Sequence, residues 1–262
     1  MRTAHPHTPG PVLDHLDAAR RTLRRERRRC VDEREAFRAF ERAVTSLKAT
    51  APTPSPPPAA PVIGRQQATD GSLTRVRRAY EQTVMSVPHY DEEYADPYSE
   101  SLEAEFGPDV AAAVQSATVF SPTLRRTVTA AATEAIAERE EFLDIIDEEV
   151  ESVETMTDEI TALDDRLDFL DDRPLSERGF NELLALHANV RRRQTRVDEL
   201  ASTRQQTIAE QRRSMSSFVP DVAEYFYQDL TVRYPVLSTL AALGETLDRA
   251  LRRLERHLAA TP

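Results

Sequence analysis

The segment SVPHYDEEYADPYSE, residues 86–100, concentrates side chains that could do chemistry. It holds one histidine, three tyrosines and five acidic residues in fifteen positions. A histidine beside several carboxylates is a combination found in metal sites and in acid–base catalysis. The segment is also rich in proline, so it has two interpretations: a functional site around His89, or a joint between helices.

The rest of the chain does not supply companions for a metal or catalytic site. No histidine follows a glutamate by three residues, as the Glu-x-x-His motif of di-iron bundles requires, and Cys30 is the only cysteine. The six glycines stand apart from one another, so they form no phosphate-binding loop. We therefore predict no metal, no cofactor and no catalytic residues, and we classify the chain as not an enzyme.

A second candidate is the arginine-rich stretch RRTLRRERRRC, residues 20–30. Projected onto a helix, its arginines cover an arc of about 200° opposite Leu16, Leu23 and Cys30, as on an ordinary solvated face. Six phosphate contacts on this face would weaken about 10⁵-fold for a tenfold rise in salt. This pattern favours a protein-docking surface over a nucleic-acid surface. The candidate interaction residues are Arg20, Arg21, Arg24, Arg25 and Arg28.

The seven tyrosines fall into two groups, at 80–98 and at 225–234. Tyrosine buries a large apolar area and keeps a polar hydroxyl. We predict that the two groups pack together as a small head, in which case residues 86–100 are a joint. The predicted head residues are Tyr80, His89, Tyr90, Tyr94, Tyr225, Tyr227, Tyr234 and Pro235.

Heptad spacing predicts the first helix, over about 11–49. From Leu16 to Leu47 the a and d positions are apolar except for Glu26 and Glu33, which could pair with arginines of a partner helix. The stretch APTPSPPPAAP, residues 51–61, has six prolines, which exclude helix and favour a polyproline II spacer.

Proline, glycine and serine mark the limits of the later helices. The inward face of the fifth helix is predicted to contain Val150, which places one 3-3 step near Met156 in a 3-4 pattern. Phe180 and Leu183 are predicted to face inward on the return helix. The predicted helices cover about 72–87, 99–106, 108–116, 121–172, 176–216 and 236–259.

Charge favours antiparallel pairing of the two long helices. Residues 134–172 carry seventeen acidic residues against two arginines, net −15. Residues 175–216 carry eight arginines against five acidic residues, net +3. A short turn between long amphipathic helices also makes them antiparallel neighbours.

These elements predict an all-α fold. It consists of an elongated antiparallel hairpin of long helices, a small helical head and an N-terminal helix on a proline-rich tether. The predicted division is an N-terminal helix at 1–50, a linker at 51–65 and a helical domain at 66–262. Within that domain, the head segments are 66–120 and 217–262 and the hairpin is 121–216.

Composition predicts the environment of the protein. Of 34 basic residues only Lys48 is lysine, and the net charge is −11, which we interpret as the surface of a halophilic protein. A single cysteine fits a reducing interior, so we predict a cytoplasmic protein. The sequence shows no signal peptide and no apolar run of about 18 residues, so no membrane span is predicted.

Two segments carry a resemblance to a known family: VRRAYEQTVMSVPHYDEEYADPYSESLEAEFGPDV (76–110) and EYFYQDLTVRYPVLSTLAAL (224–243). They resemble uncharacterised haloarchaeal helical proteins, in which they flank a long helical middle. The resemblance covers most of the chain after the linker and implies a coiled-coil-like architecture, but no activity. We expect a non-catalytic intracellular scaffold or adaptor acting through helix–helix contacts with a protein partner or with itself. The alternative is a nucleic-acid-associated regulator using the arginine-rich first helix.

Overall fold

A computed structural model of the chain describes residues 13–50, 71–164, 173–214 and 221–260. Within these ranges every regular element is a helix, so the predicted all-α class is confirmed. The proline-rich linker and the tip of the predicted hairpin, at 165–172, lie outside the described residues.

The described ranges contain eight α-helices. Two short 3₁₀ turns, Val84–Ser86 and Leu175–Glu177, follow α2 and precede α6 respectively. The helices are α1 Asp14–Ser46, α2 Gly71–Gln82, α3 Tyr90–Glu93, α4 Tyr98–Ser116, α5 Pro122–Asp164, α6 Phe180–Ser214, α7 Val222–Tyr227 and α8 Pro235–Ala260.

Local sequence signals set several helix limits. The hydroxyl of Ser121 accepts a hydrogen bond from the Leu124 amide at 3.1 Å, and Pro122 is the first residue of α5, as predicted. Gly107 has φ of 77° and breaks α4 where the Gly-Pro pair predicted two shorter helices.

The second helix is shorter than predicted. It ends at Gln82 rather than near residue 87 and continues as a 3₁₀ turn. The Thr83 hydroxyl donates to the Ala79 carbonyl at 2.7 Å, and the Ser86 hydroxyl donates to the Gln82 carbonyl at 2.7 Å. Such side-chain bonds satisfy carbonyls at a helix end and favour its termination.

The contacts divide the chain into two compact units. Unit 1 comprises residues 1–26 and 147–262, and unit 2 comprises residues 27–146. Both boundaries fall inside long helices, α1 and α5. This division differs from the predicted one, because the second half of α1 shares its apolar face with the helices that follow the linker instead of standing apart.

In unit 2, α1 and α5 run antiparallel. The Thr50 amide donates to the Phe120 carbonyl at 2.9 Å, and the Thr133 hydroxyl donates to Glu41 at 2.7 Å. The core of this unit joins the apolar stripe of α1 to residues of α2, α4 and α5. Its members include Phe37, Phe40, Val44, Leu73, Val76, Tyr80, Leu102, Phe106, Phe120, Leu124 and Val128.

In unit 1, α6 runs antiparallel to both the end of α5 and α8. Arg196 pairs with Glu159 of α5 at 3.1 Å, so the predicted pairing of the two long helices is confirmed. Against α8, His187 lies 3.3 Å from Glu255 and the Arg212 guanidinium donates to the Tyr234 hydroxyl at 2.9 Å. The apolar face of α8 is buried through Val236, Leu240, Leu243, Leu247, Leu251 and Leu254.

Candidate functional site

The predicted arginine surface of α1 is largely exposed. Arg21, Arg24, Arg25 and Arg28 face solvent, while Arg20 is half-buried. Arg25 pairs with the adjacent Glu26 at 3.0 Å. Opposite them on the helix, the predicted apolar positions are buried, among them Leu16, Ala19, Leu23 and Cys30. The helical projection made from the sequence is therefore correct for this helix.

The two tyrosine groups belong to different units. Tyr80 is fully buried in unit 2, where its hydroxyl donates to the Ser101 carbonyl at 3.2 Å and its ring packs edge-on against Phe40 at 5.3 Å. Tyr227 is fully buried in unit 1, whereas Tyr225 and Tyr234 are partly exposed. A common head made from both groups stays a prediction.

Pro235 and Tyr90 take packing roles within their own units. Pro235 is buried as the first residue of α8. Tyr90 is buried in unit 2 and donates its hydroxyl to the Asp96 carbonyl at 3.1 Å. Tyr90 begins the four-residue helix α3, which agrees with interpreting residues 86–100 as a joint.

His89 is buried next to Glu33 of α1. Its Nε2 lies 3.0 Å from a carboxylate oxygen of Glu33, and the Tyr94 hydroxyl donates to the same oxygen at 3.0 Å. Glu92 and Glu93, three and four residues after His89, instead contact Arg29 of α1. His89 thus links the joint to the first helix.

Glu33 also belongs to a network centred on Arg139 of α5. The Arg139 Nε donates to Glu33 at 3.3 Å, and one terminal nitrogen donates to both Glu105 oxygens at 2.8 Å. The guanidinium lies 4.8 Å over the Phe37 ring. The prediction that Glu33 pairs with an arginine of another helix is confirmed. Glu105 was missed, because nothing in its local pattern distinguishes it from a solvated acid.

Burial raises the pKa of Glu105, while Arg139 opposes the rise. The adjoining cavity, lined by Glu33, Tyr90, Tyr94 and Glu105, has a volume of only about 70 Å³. That is well below the range of about 300–1,000 Å³ for ligand pockets. The network therefore joins α1, α4 and α5 through hydrogen bonds and ion pairs. Each of its charged groups has a partner.

Cys30 lies on the buried face of α1. Its thiol donates to the Arg139 carbonyl at 3.4 Å. Burial raises the pKa of the Cys30 thiol to about 12, and Glu33 adds to the rise, while Arg139, Arg34 and Arg27 act in the opposite direction. Burial outweighs the arginines, so the prediction of a core residue rather than a reactive thiolate is supported by the geometry.

We expect Cys30 to be nearly unreactive toward a thiol reagent such as Ellman's reagent in the native protein at pH 8, because only the thiolate reacts. In guanidinium chloride the pKa returns to its ordinary range and the same cysteine reacts rapidly. The rate of absorbance change under both conditions is the measurement. Equal rates in the native and unfolded protein would contradict the buried position.

Unit 1 contains a buried charged network of its own. Glu149 and Arg204 are 0% and 2% exposed and form two hydrogen bonds of 2.6 and 3.0 Å. The Tyr227 hydroxyl donates to Glu149 at 2.7 Å, and the Ser152 hydroxyl accepts from Arg204 at 2.7 Å. This network ties α5, α6 and α7 together.

The burial of Glu149 shows that the predicted inward face of α5 was wrong at one position. The sequence assigned that place to Val150 and therefore needed a 3-3 step near Met156. In the structure the buried residues Glu149, Val153, Met156 and Ile160 follow one another at steps of four, three and four, and the 3-3 step lies instead at Ile146, between Leu143 and Glu149. A glutamate can hold this core position because Arg204 and Tyr227 satisfy its carboxylate.

The start of α6 presents two large apolar side chains to solvent. Phe180 and Leu184 are 47% and 49% exposed and lie one helical turn apart. Phe180 was predicted to face inward, which is wrong, since Leu183 and Val190 define the buried face of this helix. The pair forms an exposed apolar patch, which we call the α6 patch.

The described residues contain neither a cluster of metal ligands nor a membrane-spanning helix. Among these residues, no group of three or more His, Cys, Asp or Glu could hold a metal ion. In the same ranges, no helix is both long and apolar enough to cross a membrane.

Comparison with known proteins identifies a family. The model of a family described as "Domain of unknown function (DUF7260)" matches residues 14–251, which is most of the chain, so the chain belongs to that family. No curated protein and no solved structure matches the chain.

Proposed function

We propose that this member of the DUF7260 family is a non-catalytic scaffold or adaptor that acts through helix–helix contacts. The observation that carries the proposal is the α6 patch, in which Phe180 and Leu184 stand one turn apart on a solvent-facing side of a long helix. Apolar side chains at this spacing are the anchors by which one helix docks on another.

Two further features support a binding role. The polar networks around Arg139 and Glu149 have their charged groups paired inside the fold, which leaves no free acid–base pair at either place. The long helices present extended surfaces, on which a few residues can form a contact with a partner.

Replacing Phe180 and Leu184 together with serine should remove the contact without unfolding the protein, because both side chains are already half-exposed. The wild-type protein, immobilised and challenged with lysate of its source, should retain a partner or a second copy that the double variant does not. Val119→Ser is a matched control, since Val119 is an exposed apolar residue outside the patch.

Sedimentation equilibrium on the three proteins separates self-association from binding to another protein. A wild-type protein that stays monomeric and retains nothing, or a double variant that binds as well as the wild type, would contradict the adaptor role. Val119→Ser should behave as the wild type in both measurements.

The alternative function is nucleic-acid binding by Arg20, Arg21, Arg24, Arg25 and Arg28. It is supported by the exposure of four of these five side chains on one helix. Titration with DNA at several salt concentrations distinguishes it from the adaptor role, because phosphate contacts give a steep loss of affinity with salt. Binding that arginine replacement does not change would exclude it.

We further propose a halophilic, haloarchaeal source, a cytoplasmic location and coiled-coil-like contacts for the long helices. The support is the acidic, lysine-poor composition, the single cysteine and the heptad spacing of α1. Retention of helical structure by circular dichroism in about 2 M KCl, with loss at low salt, would accord with such a source.

A further inference from the structure

Unit 2 has an open groove between α2 and the two ends of α4. Its volume is about 550 Å³. That lies within the range of about 300–1,000 Å³ for binding clefts. Its walls are mainly apolar or aromatic, and the charge of Arg77 is paired with Glu81 at 2.8 Å. The lining includes Leu73, Arg77, Pro97, Tyr98, Val114 and Ala117.

Tyr98, one of the lining residues, has a polar atom whose hydrogen bonding is unexplained. Its ring is packed edge-on against Tyr80 at 5.6 Å and is covered on one side by Arg77 at 4.8 Å. Its hydroxyl oxygen is buried, yet it has no hydrogen-bond partner among the described residues. Burial raises the pKa of Tyr98 to about 12, so the hydroxyl stays protonated and needs an acceptor.

The chain enters and leaves the segment 51–70 beside this groove. The Thr50 amide is bonded to the carbonyl of Phe120, three residues after the lining residue Ala117. Gly71 begins α2 two residues before the lining residue Leu73. The Ser72 hydroxyl donates to the Lys48 carbonyl at 3.4 Å, so the two ends of the segment meet.

We propose that the groove binds an extended proline-rich segment and that the chain's own run Pro52–Pro61 occupies it. A polyproline II segment makes no internal hydrogen bonds, so its carbonyls are free to accept from the Tyr98 hydroxyl. Proline rings pack well in aromatic-lined grooves, and the preformed extended backbone loses little entropy on docking. The run 51–61 contains no charged residue, which suits these walls.

Covalent attachment favours the run Pro52–Pro61 over a free ligand as the occupant of the groove. About ten residues join Pro61 to Gly71, which at about 3.1 Å per residue is ample to return the run to the groove. Attachment at both ends also gives an effective concentration in the millimolar range, which a free proline-rich ligand must exceed. The linker would then fasten α1 to α2 and α4 rather than separate them.

This inference is independent of the adaptor role. The groove is built from residues of unit 2, whereas the α6 patch lies in unit 1. Either one can be disproved while the other stands.

A nitroxide spin label at Ser55→Cys in the full-length protein tests the docking. The native Cys30 is buried, so the label reacts at position 55. We expect an immobilised electron paramagnetic resonance line shape, with the same shape in about 2 and about 4 M KCl, because an uncharged contact is insensitive to screening. A mobile line shape in this protein would overturn the proposal.

Two variants and one control locate the contact. Val114→Asp should release the label, because it places a charge in the groove wall, whereas Val119→Asp is the matched control and should not. Tyr98→Phe should release it in part, because only the hydrogen bond is lost. Circular dichroism melting shows that each variant is folded. A label that stays immobile in folded Val114→Asp would overturn the proposed site.

A peptide of residues 51–61 tests whether the groove is already filled. We expect it to bind a full-length variant whose six linker prolines are replaced by serine, and to bind the wild type at least about tenfold more weakly. Equal binding to both would overturn occupancy by the chain's own segment. No binding to the serine variant would overturn the groove as a polyproline site.

Discussion

Replacing Arg204 with alanine is expected to lower the free energy of unfolding by about 3–5 kcal/mol, the usual loss when one partner of a buried ion pair is removed. The substitution leaves the carboxylate of Glu149 inside unit 1, where the remaining donors among the described residues are Tyr227 and Gln211. Urea denaturation followed by circular dichroism measures the loss.

Two comparisons show whether the loss comes from the buried charge. Arg196→Ala removes an exposed pair with Glu159 and should change the free energy little, since exposed pairs contribute about 0–1 kcal/mol. The triple variant Glu149→Leu, Arg204→Met, Tyr227→Phe removes the whole network and should be more stable than Arg204→Ala alone. A triple variant as unstable as Arg204→Ala would contradict this explanation.

Replacing Arg139 with alanine is the second substitution with a large expected effect, again about 3–5 kcal/mol near pH 7.5. It leaves Glu33 and Glu105 facing each other without the guanidinium that separates them. It also removes the cation above the Phe37 ring.

The loss should depend on pH, with a sign set by Glu105. The pKa of Glu105 is raised by burial above its ordinary 4.5 and should rise further without Arg139. A raised folded-state pKa means that its favourable contribution is complete at acid pH and is lost as pH rises through that pKa. The destabilisation of Arg139→Ala should therefore be smaller at pH 5 than at pH 7.5.

Denaturation curves of the wild type and the variant at both pH values measure this difference. Arg38→Ala is the matched control, because Arg38 pairs with Glu35 and Glu140 at the surface and should show a much smaller loss. Equal losses for Arg139→Ala at the two pH values would assign the effect to lost packing on Phe37 instead of charge.

Local sequence patterns were sufficient to place most elements of this fold. The apolar spacing of α1 correctly identified its buried face, and Ser121-Pro122 marked the start of α5. They failed where a polar residue is buried. The predicted inward face of α5 contained Val150 and not Glu149, because apolar periodicity carries no information about Arg204, which lies 55 residues further on in the facing helix.

The candidate sites show the same limit. The exposure of the α1 arginines followed from their arc on the helix, but the exposure of Phe180 did not follow from its apolar character. His89 was singled out because it lies among carboxylates in residues 86–100. Its partner Glu33 is 56 residues away, in a helix separated from it by the linker, so no local pattern links the two.

The sequence by itself determined an all-α chain, several of its helix limits and the apolar stripe of α1, because backbone propensity, proline and glycine act over a few residues. Only the tertiary structure decided which faces meet. It placed the second half of α1 with residues 71–146, surrounded Arg139 with two acids and brought the ends of the proline-rich segment together. These outcomes depend on contacts between residues that are distant in sequence. Such contacts are determined by how whole helix faces pack against one another.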